Sequence, residues 1–585
     1  MSQNAISDGE AFASTALSEK ASPDPVVADV RTFDIDSQDL PEGYFRSPYF
    51  IGTLVAAGLS LSAGAGTFAL AAPVLGVINA DIGPDPNYLW VGLVYILTLA
   101  LGQLLVGRLS DLFGRRWFFI SGSVLSLIGC IVSAVATSIP MLIGGTTLIG
   151  FAAASQLSYP FVIGELVPFK HRFLSMGFVY CWGFPLDGFG PAVSYAFVQH
   201  SKHTWRSIYY LFIGINFLAV VFWFLFYFPP SFDERWAHKK TRRQVIQDFD
   251  FIGLILFCGG IVTFLMGISW GGALYPWKSA HVIGTIIVGF FSLVAFILYE
   301  IFVPLKEPLV PMHLFRNIRW VADIFMIALG ASVYFCFAIV WPIMVFALYT
   351  SDLTKGGFLC CVTGLGTNSG QIVSGVLGKR IGKQKYQLIV AATLMGLFLG
   401  AGACATPYNQ NTIAALLFLG CFSMGWLTNI GLTISGMIIP TQAEIGTAIG
   451  VGACIRETVS TIAGTVYTVI LANRLARTIP AEVPPKLIAA GLPSSSVAAF
   501  LSAVTVGTPE AFSKVAGLTS AIESVGIAAY KVASSHAYQT VFYSTIAFSA
   551  LAIFCSLWVP NVDDMMTDRV VATLHKRKDE EAGEK

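Results

Sequence analysis

Charged residues are scarce in this chain. Asp, Glu, Lys and Arg make up 12% of the 585 residues, 55% are hydrophobic, and the mean hydropathy is +0.70. Because soluble domains carry about 25% charged residues, this composition excludes them and indicates a protein embedded in a lipid bilayer. The net charge of +1 excludes a broad basic surface, so no nucleic-acid partner is expected.

Several motifs of other membrane proteins are missing. No G-x4-G-K-[S/T] run marks a nucleotide-driven pump, and no histidine has the H-x4-D spacing of a membrane acyltransferase. The ten cysteines all fall in apolar runs, where thiols pack rather than form a disulfide framework. We therefore expect no enzyme, cofactor or metal; an acyltransferase and a non-transporting membrane sensor are the rivals of another class.

Long apolar runs dominate the rest of the sequence. A helix needs about 20 apolar residues to cross about 30 Å of hydrocarbon, and runs of that size predict about fourteen spans in a six-two-six layout. The expected fold is an all-α membrane protein of two six-helix bundles with two extra helices between them. The predicted domains are a disordered cytosolic tail (1–46), an N-terminal bundle (47–228), a basic inner loop with the two extra helices (229–319), a C-terminal bundle (320–560) with a long external loop (473–538), and a cytosolic tail (561–585).

The distribution of Lys and Arg predicts the orientation. Placing both termini in the cytosol puts most basic residues on inner loops, including Arg235, Lys239 and Lys240, as the positive-inside rule requires. We expect a multi-pass protein of the plasma membrane, with the vacuolar membrane as the open alternative, acting as a monomer.

The segment GRLSDLFGRR, from Gly107 to Arg116, joins two predicted spans. Asp111 ends one span within reach of Arg115 and Arg116, near the start of the next, where charge and helix dipole can hold the turn closed. Gly114 punctuates this turn. The pattern predicts an inner gate and therefore a transporter.

The second half of the chain repeats part of this segment. Gly107, Leu109, Gly114 and Arg115 align at one constant offset with the residues Gly375, Leu377, Gly382 and Lys383. Two related halves are typical of a carrier that moves about a central site near the membrane midplane.

Few ionisable residues fall inside the predicted spans, where each is costly and so a candidate for function. Asp187, in the fifth span, lies in a run rich in Gly and Pro; it either exchanges a proton or satisfies backbone groups freed by Pro185 or Pro191. Arg456 and Glu457 point about 100° apart on a helix, so we expect partners on other helices or on the substrate. Their alternative is a structural ion pair between the halves.

Uncharged polar residues predict the lining of a substrate cavity. Gln156 and Tyr159, and likewise Asn368 and Gln371, are three residues apart and face one way if their helix is continuous. Asn429 is a further candidate. A largely hydrophobic cavity with a few orienting hydrogen bonds suits a bulky apolar compound, and helix-to-helix hydrogen bonding is the alternative for each residue.

These features resemble the major facilitator superfamily, and more narrowly its fourteen-span fungal drug:proton antiporters of the trichothecene efflux pump type. The superfamily's inner-loop motif G-x-L-x-D-x-x-G-R-[KR] is matched from Gly107 to Arg116. Its helix-five motif G-x8-G-x3-G-P-x2-G is matched at Gly177, Gly190 and Pro191, but Leu186 and Ser194 replace two glycines. The family's helix-four arginine falls on Thr146. The resemblance implies that proton coupling, if present, uses the remaining candidates Asp187, Arg456 and Glu457.

The resemblance also implies a function. We expect efflux of a hydrophobic or amphipathic toxin or drug, such as a mycotoxin, by proton antiport and alternating access. The expected partners are that small molecule, protons and the lipid bilayer. Related fourteen-span fungal carriers handle siderophore-bound iron, so siderophore transport is the alternative.

Overall fold

The computed structural model describes residues 33–36, 43–85, 87–88, 90–230, 241–272, 275–439, 441–506, 509–572 and 574. Most of the predicted N-terminal tail, the basic residues Arg235, Lys239 and Lys240, and the end of the C-terminal tail lie outside these residues.

The N-terminal half is helical throughout. A short strand and nine helices precede the linker: β1 (Phe33–Asp36), α1 (Pro48–Ala71), α2 (Leu75–Ile82), α3 (Trp90–Phe113), α4 (Arg116–Ala134), α5 (Ile139–Gln156), α6 (Tyr159–Leu166), α7 (Arg172–Gly183), α8 (Gly190–His200) and α9 (Arg206–Phe226). Between α7 and α8, Phe184–Gly188 form one turn of π-helix.

The linker and the C-terminal half follow the same pattern. Their elements are α10 (Arg242–Asp248), α11 (Phe251–Trp270), α12 (Ala280–Phe302), α13 (His313–Arg316), α14 (Ile318–Met344), α15 (Leu353–Ile381), α16 (Gln384–Ala401), α17 (Gln410–Ser435), α18 (Ile445–Ala489), α19 (Val497–Val506), α20 (Pro509–Ser513), α21 (Ser520–Ser556) and β2 (Arg569–Ala572). A buried ion pair of 2.9 Å between Arg108 and Glu307 joins the linker to the N-terminal half.

Twelve helices in the described residues are long and apolar enough to cross a membrane, so the predicted count of fourteen is not confirmed. The two predicted spans missing from this set are helical as well. One is broken into α7, a π-turn and α8, and the other is α15, a 29-residue helix rich in Gly and Thr. These two helical segments pack against each other, so the polar and small residues that lower their hydropathy lie between the halves rather than in lipid.

The two halves use the repeated glycines in the same way. A methyl group at Gly107 would lie 3.0 Å from Gly450 Cα, and one at Gly177 would lie 3.0 Å from Gly375 Cα. Each contact joins the second predicted span of one half to the fifth of the other, in a crossing that only glycine permits.

The repeated turns also correspond. Gly114 (φ 92°) and Gly382 (φ 66°) both adopt the left-handed backbone that favours glycine. The internal repeat read from the sequence therefore has a structural counterpart in both the helix crossings and the turns.

Two short strands, one from each terminal region of the chain, pair with each other. β1 pairs antiparallel with β2, which corrects the prediction of a fully disordered segment 1–46. The C-terminal segment contacts both halves, because Lys170 N donates to Thr567 O (3.1 Å) and Lys383 N donates to Asp563 Oδ2 (2.9 Å). We call residues 557–572 the C-terminal strap.

The predicted external loop is largely helical. α18 and α21 extend beyond the apolar spans, and with α19 they enclose a separate hydrophobic core that includes Leu487, Phe500 and Ala529. This segment is a small helical extension with its own interior.

Candidate transport site and inner gate

Asp111 links the two halves of the protein. Its Oδ2 accepts hydrogen bonds from the backbone N–H (2.6 Å) and hydroxyl (2.8 Å) of Thr447, the third residue of α18. The carboxylate therefore sits at a helix N-terminus of the opposite half, where free N–H groups and the helix dipole stabilise negative charge. The sequence predicted the charge and its turn but not Thr447.

Arg115 completes the inner gate. Its guanidinium contacts Asp111 Oδ1 at 2.8 Å and Glu165 Oε1 at 2.9 Å, and its side chain is fully buried. Arg116 points elsewhere: it donates to Phe224 O (3.2 Å) and stacks on the Phe228 ring. The predicted role of Arg116 beside Asp111 is therefore wrong, because successive residues at the start of α4 diverge.

A second contact between the halves lies beside the inner gate. Arg172, buried at the start of α7, donates to the carbonyl oxygens of Gly164 in its own half and of Gly436 in the other half (3.4 Å). Gln442 also donates to Gly436 O (3.1 Å). The N-terminal half thus contacts the end of α17 through Gly436 and the start of α18 through Thr447, so the two halves are joined on this side.

Gly107 determines how closely the halves approach at this gate. A methyl group there would lie 2.5 Å from Gly446 O, a backbone atom that cannot rotate away. We expect Gly107→Ala to destabilise the closed form by about 1–3 kcal/mol through overpacking, lowering both the melting temperature and export.

Gly144→Ala is the matched control, because no atom lies within 4 Å of a methyl group at that helical glycine. We expect its melting temperature to stay at or above that of the wild type. Equal melting temperatures for the two variants would contradict the close contact at Gly107.

Asp187 occupies the π-turn at the middle of the contact between the halves. The turn contains Pro185, and Gly364 of α15 packs directly against the Asp187 carbonyl. Asp187 is 9% exposed, and its Oδ1 has no hydrogen-bond partner in the part of the chain that the structure describes. Asp187 Oδ1 therefore does not satisfy a backbone group freed by Pro185 or Pro191, which was the structural alternative for this residue.

Arg456 and Glu457 bond to each other, contrary to the prediction that they face different partners. Arg456 Nε and Nη2 lie 3.0 and 2.6 Å from Glu457 Oε1. The prediction considered only the angle between Cα–Cβ directions, whereas the long arginine side chain curls around the helix. Neither residue forms an ion pair with Asp187 in the described residues, and 20% of the Arg456 side chain is exposed.

Tyrosines surround these charges. Tyr95 lies within electrostatic range of Asp187, Arg456 and Glu457, and Tyr159 lies within range of Asp187 and Arg456. Tyr334, from the C-terminal half, interacts with Asp187. The three predicted coupling residues are thus brought into one region, together with tyrosines from both halves. Tyr95 and Tyr334 were missed in the sequence because a tyrosine in an apolar run gives no signal of its own.

Gln156 and Tyr159 do not share a helix face. α5 ends at Gln156 and α6 begins at Tyr159, with Pro160 in its first turn, because proline lacks the N–H that would continue the helix. Gln156 donates to Asn216 Oδ1 (2.7 Å) and is fully buried within the N-terminal half. The cavity role predicted for Gln156 is therefore wrong, whereas Tyr159 lies near the central charges.

The C-terminal candidates divide in the same way. Asn429 donates to Gln371 O (3.1 Å) and Ser374 Oγ (2.9 Å), so it joins α17 to α15 rather than lining a cavity. Asn368 Oδ1 and Asp187 Oδ2 would lie 3.5 and 2.6 Å from a methyl group on Gly183, so both approach one point between the halves. Gln371 is one turn further along α15 and is 9% exposed.

The predicted helix-five motif lines the contacts of α7 and α8. Gly177 meets Gly375, Gly190 lies against the backbone of α1, and Pro191 O lies 3.6 Å from a methyl group on Gly357. Ser194, which replaces a motif glycine, donates to Leu70 O at 2.6 Å. The motif therefore serves close packing, and the serine keeps that contact through a hydrogen bond.

Asp323 was missed in the sequence. It lies in α14, it is fully buried, and neither carboxylate oxygen has a hydrogen-bond partner in the described chain. The signal was present, because it is the one acidic residue of the predicted ninth span. By contrast, Thr146 lines a small cavity with Tyr95 and Tyr209 inside the N-terminal half, and no charge replaces the family's arginine there.

The arrangement of two helical halves, closed by an ionic gate and enclosing charges at their contact, defines a membrane transporter of the major facilitator fold. A solved structure with this fold is similar over 91% of this chain and 99% of its own (TM-score 0.55, 14% identity): the proton:xylose symporter XylE bound to 6-bromo-6-deoxy-D-glucose. The human organic anion transporter MFSD10 (TETRAN) is similar over 87% of this chain and 100% of its own (TM-score 0.50, 12% identity).

The sequence comparison narrows this class. The family model described as fungal trichothecene efflux pump (TRI12) matches residues 15–583, and the chain belongs to this family. The trichothecene efflux pump TRI12 of Fusarium sporotrichioides is 30% identical over 545 residues, covering 92% of this chain and 91% of the relative. The MFS-type transporter prx5 of Penicillium rubens is 28% identical over 503 residues, covering 84% and 88%. The predicted family and fold class are confirmed.

Proposed function

We propose that this protein exports a hydrophobic or amphipathic toxin, of the trichothecene type, in exchange for protons. The observation that carries the proposal is the Asp187 carboxyl group. It lies between the halves, its Oδ1 has no hydrogen-bond partner within the described residues, and it shares the neighbouring Tyr95 with the Arg456–Glu457 pair. An unpaired carboxyl group at such a position binds a proton more readily than one that is paired.

The substrate would bind in the same region. Tyrosine rings offer a large apolar surface with one hydrogen-bonding group each, which suits a bulky compound with few polar atoms. Arg456 and Asn368 would orient its oxygen atoms. Binding of a proton to Asp187 and binding of the substrate would then compete, which is the requirement for antiport.

Alternating access would follow from the inner gate. The contacts of Asp111 with Thr447 and of Arg172 with Gly436 close the inner side, so their release would open the central site to the cytosol. We propose that the protein works as a monomer in the plasma membrane with both termini in the cytosol. The two strands that pair on one face support placing the termini together.

Accumulation of a radiolabelled trichothecene in cells with and without the protein, at two external pH values, tests this function. We expect cells with the protein to accumulate several-fold less, and the difference to grow as the external medium becomes more acidic. Equal accumulation with and without the protein would overturn the proposed substrate, and export that ignores pH would overturn proton antiport. Growth on siderophore-bound iron that depends on the protein would favour siderophore transport instead.

A further inference from the structure

Asp323 is a second carboxyl group that the structure buries without compensation. Both oxygens lack hydrogen-bond partners within the described chain, and Trp320 Nε1, one turn earlier on α14, is unpartnered as well. Buried carboxylates with a structural role are normally held by hydrogen bonds or ion pairs. Asp323 has neither, so packing alone gives no reason for an acidic residue here.

Its position follows from the contacts of α14 with α17. Asp323 shares one helix face with Ile327 and Gly330, which pack on Gly431 and Leu427 respectively. Continuing this antiparallel register by one turn places Asp323 level with the last turn of α17. One turn further, Asn317 Nδ2 donates to Ile438 O (2.9 Å).

α14 packs against both α17 and α18. The N-terminal half holds the facing ends of these two helices, because Arg172 donates to Gly436 O at the end of α17 and Asp111 accepts from Thr447 at the start of α18. Ile324, next to Asp323, packs against Gly452 two turns into α18. Separation of the halves on this side would free the ends of α17 and α18, the two helices that pack over this face of α14.

The charged groups around Asp323 do not compensate it. The elements packed against α14 carry several charged groups. They are Lys355, Lys379 and Arg380 on α15; Arg456, Glu457, Arg474, Arg477, Glu482 and Lys486 on α18; Glu523, Lys531 and His536 on α21; and His313 and Arg316 on α13, while α14 itself carries Arg319. Arg456 is paired with Glu457, and His313 with Glu444. α17 has no charged residue, and the inner end of α21 has only Cys555 as a titratable group. None of these groups donates a hydrogen bond to Asp323 within the described residues.

We propose that Asp323 is a second proton-binding site of this transporter, neutral while the inner side is closed and ionised when opening of that side admits water. The coupling role of this site rests on the proposed proton antiport, whereas proton binding by Asp323 does not. Opening would transfer the Asp323 proton to cytosolic water, and closing would require the carboxylate to recover a proton before it is buried again. Asp323 would thereby couple the inner gate to cytosolic pH.

Infrared spectroscopy of the purified full-length protein tests the proton directly and needs no transported compound. We expect the wild type at neutral pH to show the carbonyl absorption of a protonated carboxyl group, part of which is lost in Asp323→Asn. Asp352→Asn is the matched control, because exposed Asp352 caps α15 and is expected to contribute nothing to this absorption. An Asp323→Asn spectrum with the full wild-type absorption would overturn the proposal.

Transport by membrane vesicles with an accessible cytosolic face tests the coupling. At a fixed pH difference across the membrane, raising the cytosolic pH should slow export of a radiolabelled trichothecene several-fold in the wild type, because closing requires a proton from the cytosol. Asp323→Asn should lose this response while still exchanging the compound at equal pH. Asp323→Leu should melt at or above the wild-type temperature, because it removes an uncompensated polar group. A variant with an unchanged response to cytosolic pH would overturn the coupling role. A wild type that ignores pH on both sides, but keeps the Asp323 infrared absorption, would overturn the antiport and leave the proton site standing.

Discussion

Asp111→Asn is expected to abolish most export while the protein still reaches the membrane at its normal level. The variant keeps the size of the side chain but loses the charge that contacts Arg115 and the N-terminus of α18. A charge at a helix N-terminus contributes up to about 2 kcal/mol when partly buried. Breaking a buried ion pair costs about 3–5 kcal/mol, so the closed inner side should lose much of its stability.

Two quantities are measured for Asp111→Asn: the rate of export, and the rate at which a thiol reagent on the cytosolic face reaches a cysteine placed between the halves. Thr433 lines a small cavity between the halves, beside Arg172. In a background where the exposed Cys181 and Cys404 are replaced by Ala, Thr433→Cys should react faster with an impermeant thiol reagent on the cytosolic face when Asp111→Asn is present.

Asp81→Asn is the control for Asp111→Asn. The Asp81–Arg206 ion pair has a similar length of 2.9 Å. It lies within the N-terminal half, however, and the Asp81 side chain is 48% exposed. Exposed pairs contribute about 0–1 kcal/mol, so export should change little. Unchanged export in Asp111→Asn would remove the inner gate from the mechanism.

Asp187→Asn is expected to reduce pH-dependent export to the level of cells without the protein. Asparagine fits the same space in the π-turn but cannot bind or release a proton, so the variant should still exchange a bound compound across the membrane without a pH difference. Asp187→Glu, which keeps the carboxyl group, should retain part of the response. Measuring initial export rates over a range of external pH separates these outcomes.

Asn368→Ala controls for the neighbourhood of Asp187. This change removes a polar group beside the Asp187 carboxyl but leaves the proton-binding group intact, so it should weaken substrate binding without altering the pH profile. Export by Asp187→Asn with the wild-type pH profile would show that the carboxyl group is structural and would transfer the coupling role elsewhere.

The features that follow from local spacing could be predicted from the sequence. Asp111 and Arg115 are four residues apart, so their contact follows from local spacing. The glycine repeat likewise predicted two related halves, which the helix crossings at Gly107 and Gly177 match. Thr447 could not be predicted, because it is 336 residues from Asp111 and depends on how the halves meet. The closing contact of the inner gate is therefore a property of the fold.

Errors in the predicted site have identifiable causes. Arg456 and Glu457 were separated because helix geometry was considered without side-chain length, and Gln156 was placed in the cavity because the break before Pro160 was overlooked. The span count depends on average hydropathy. This average falls in a helix that faces another helix rather than lipid, because such a helix carries more glycine and polar residues. Low apparent hydropathy in α15 thus marks the contact between the halves rather than the absence of a span.

The C-terminal strap has a mechanical consequence. It is bonded to Lys170 on one half and Lys383 on the other, and its strand pairs with residues from the opposite end of the chain. Parting of the halves on this surface, which the proposed mechanism requires, would have to stretch the strap, so we expect the strap to limit the width of the opening there. The size of the compound that can enter on that side would then depend on the terminal segment of the polypeptide as well as on its membrane helices.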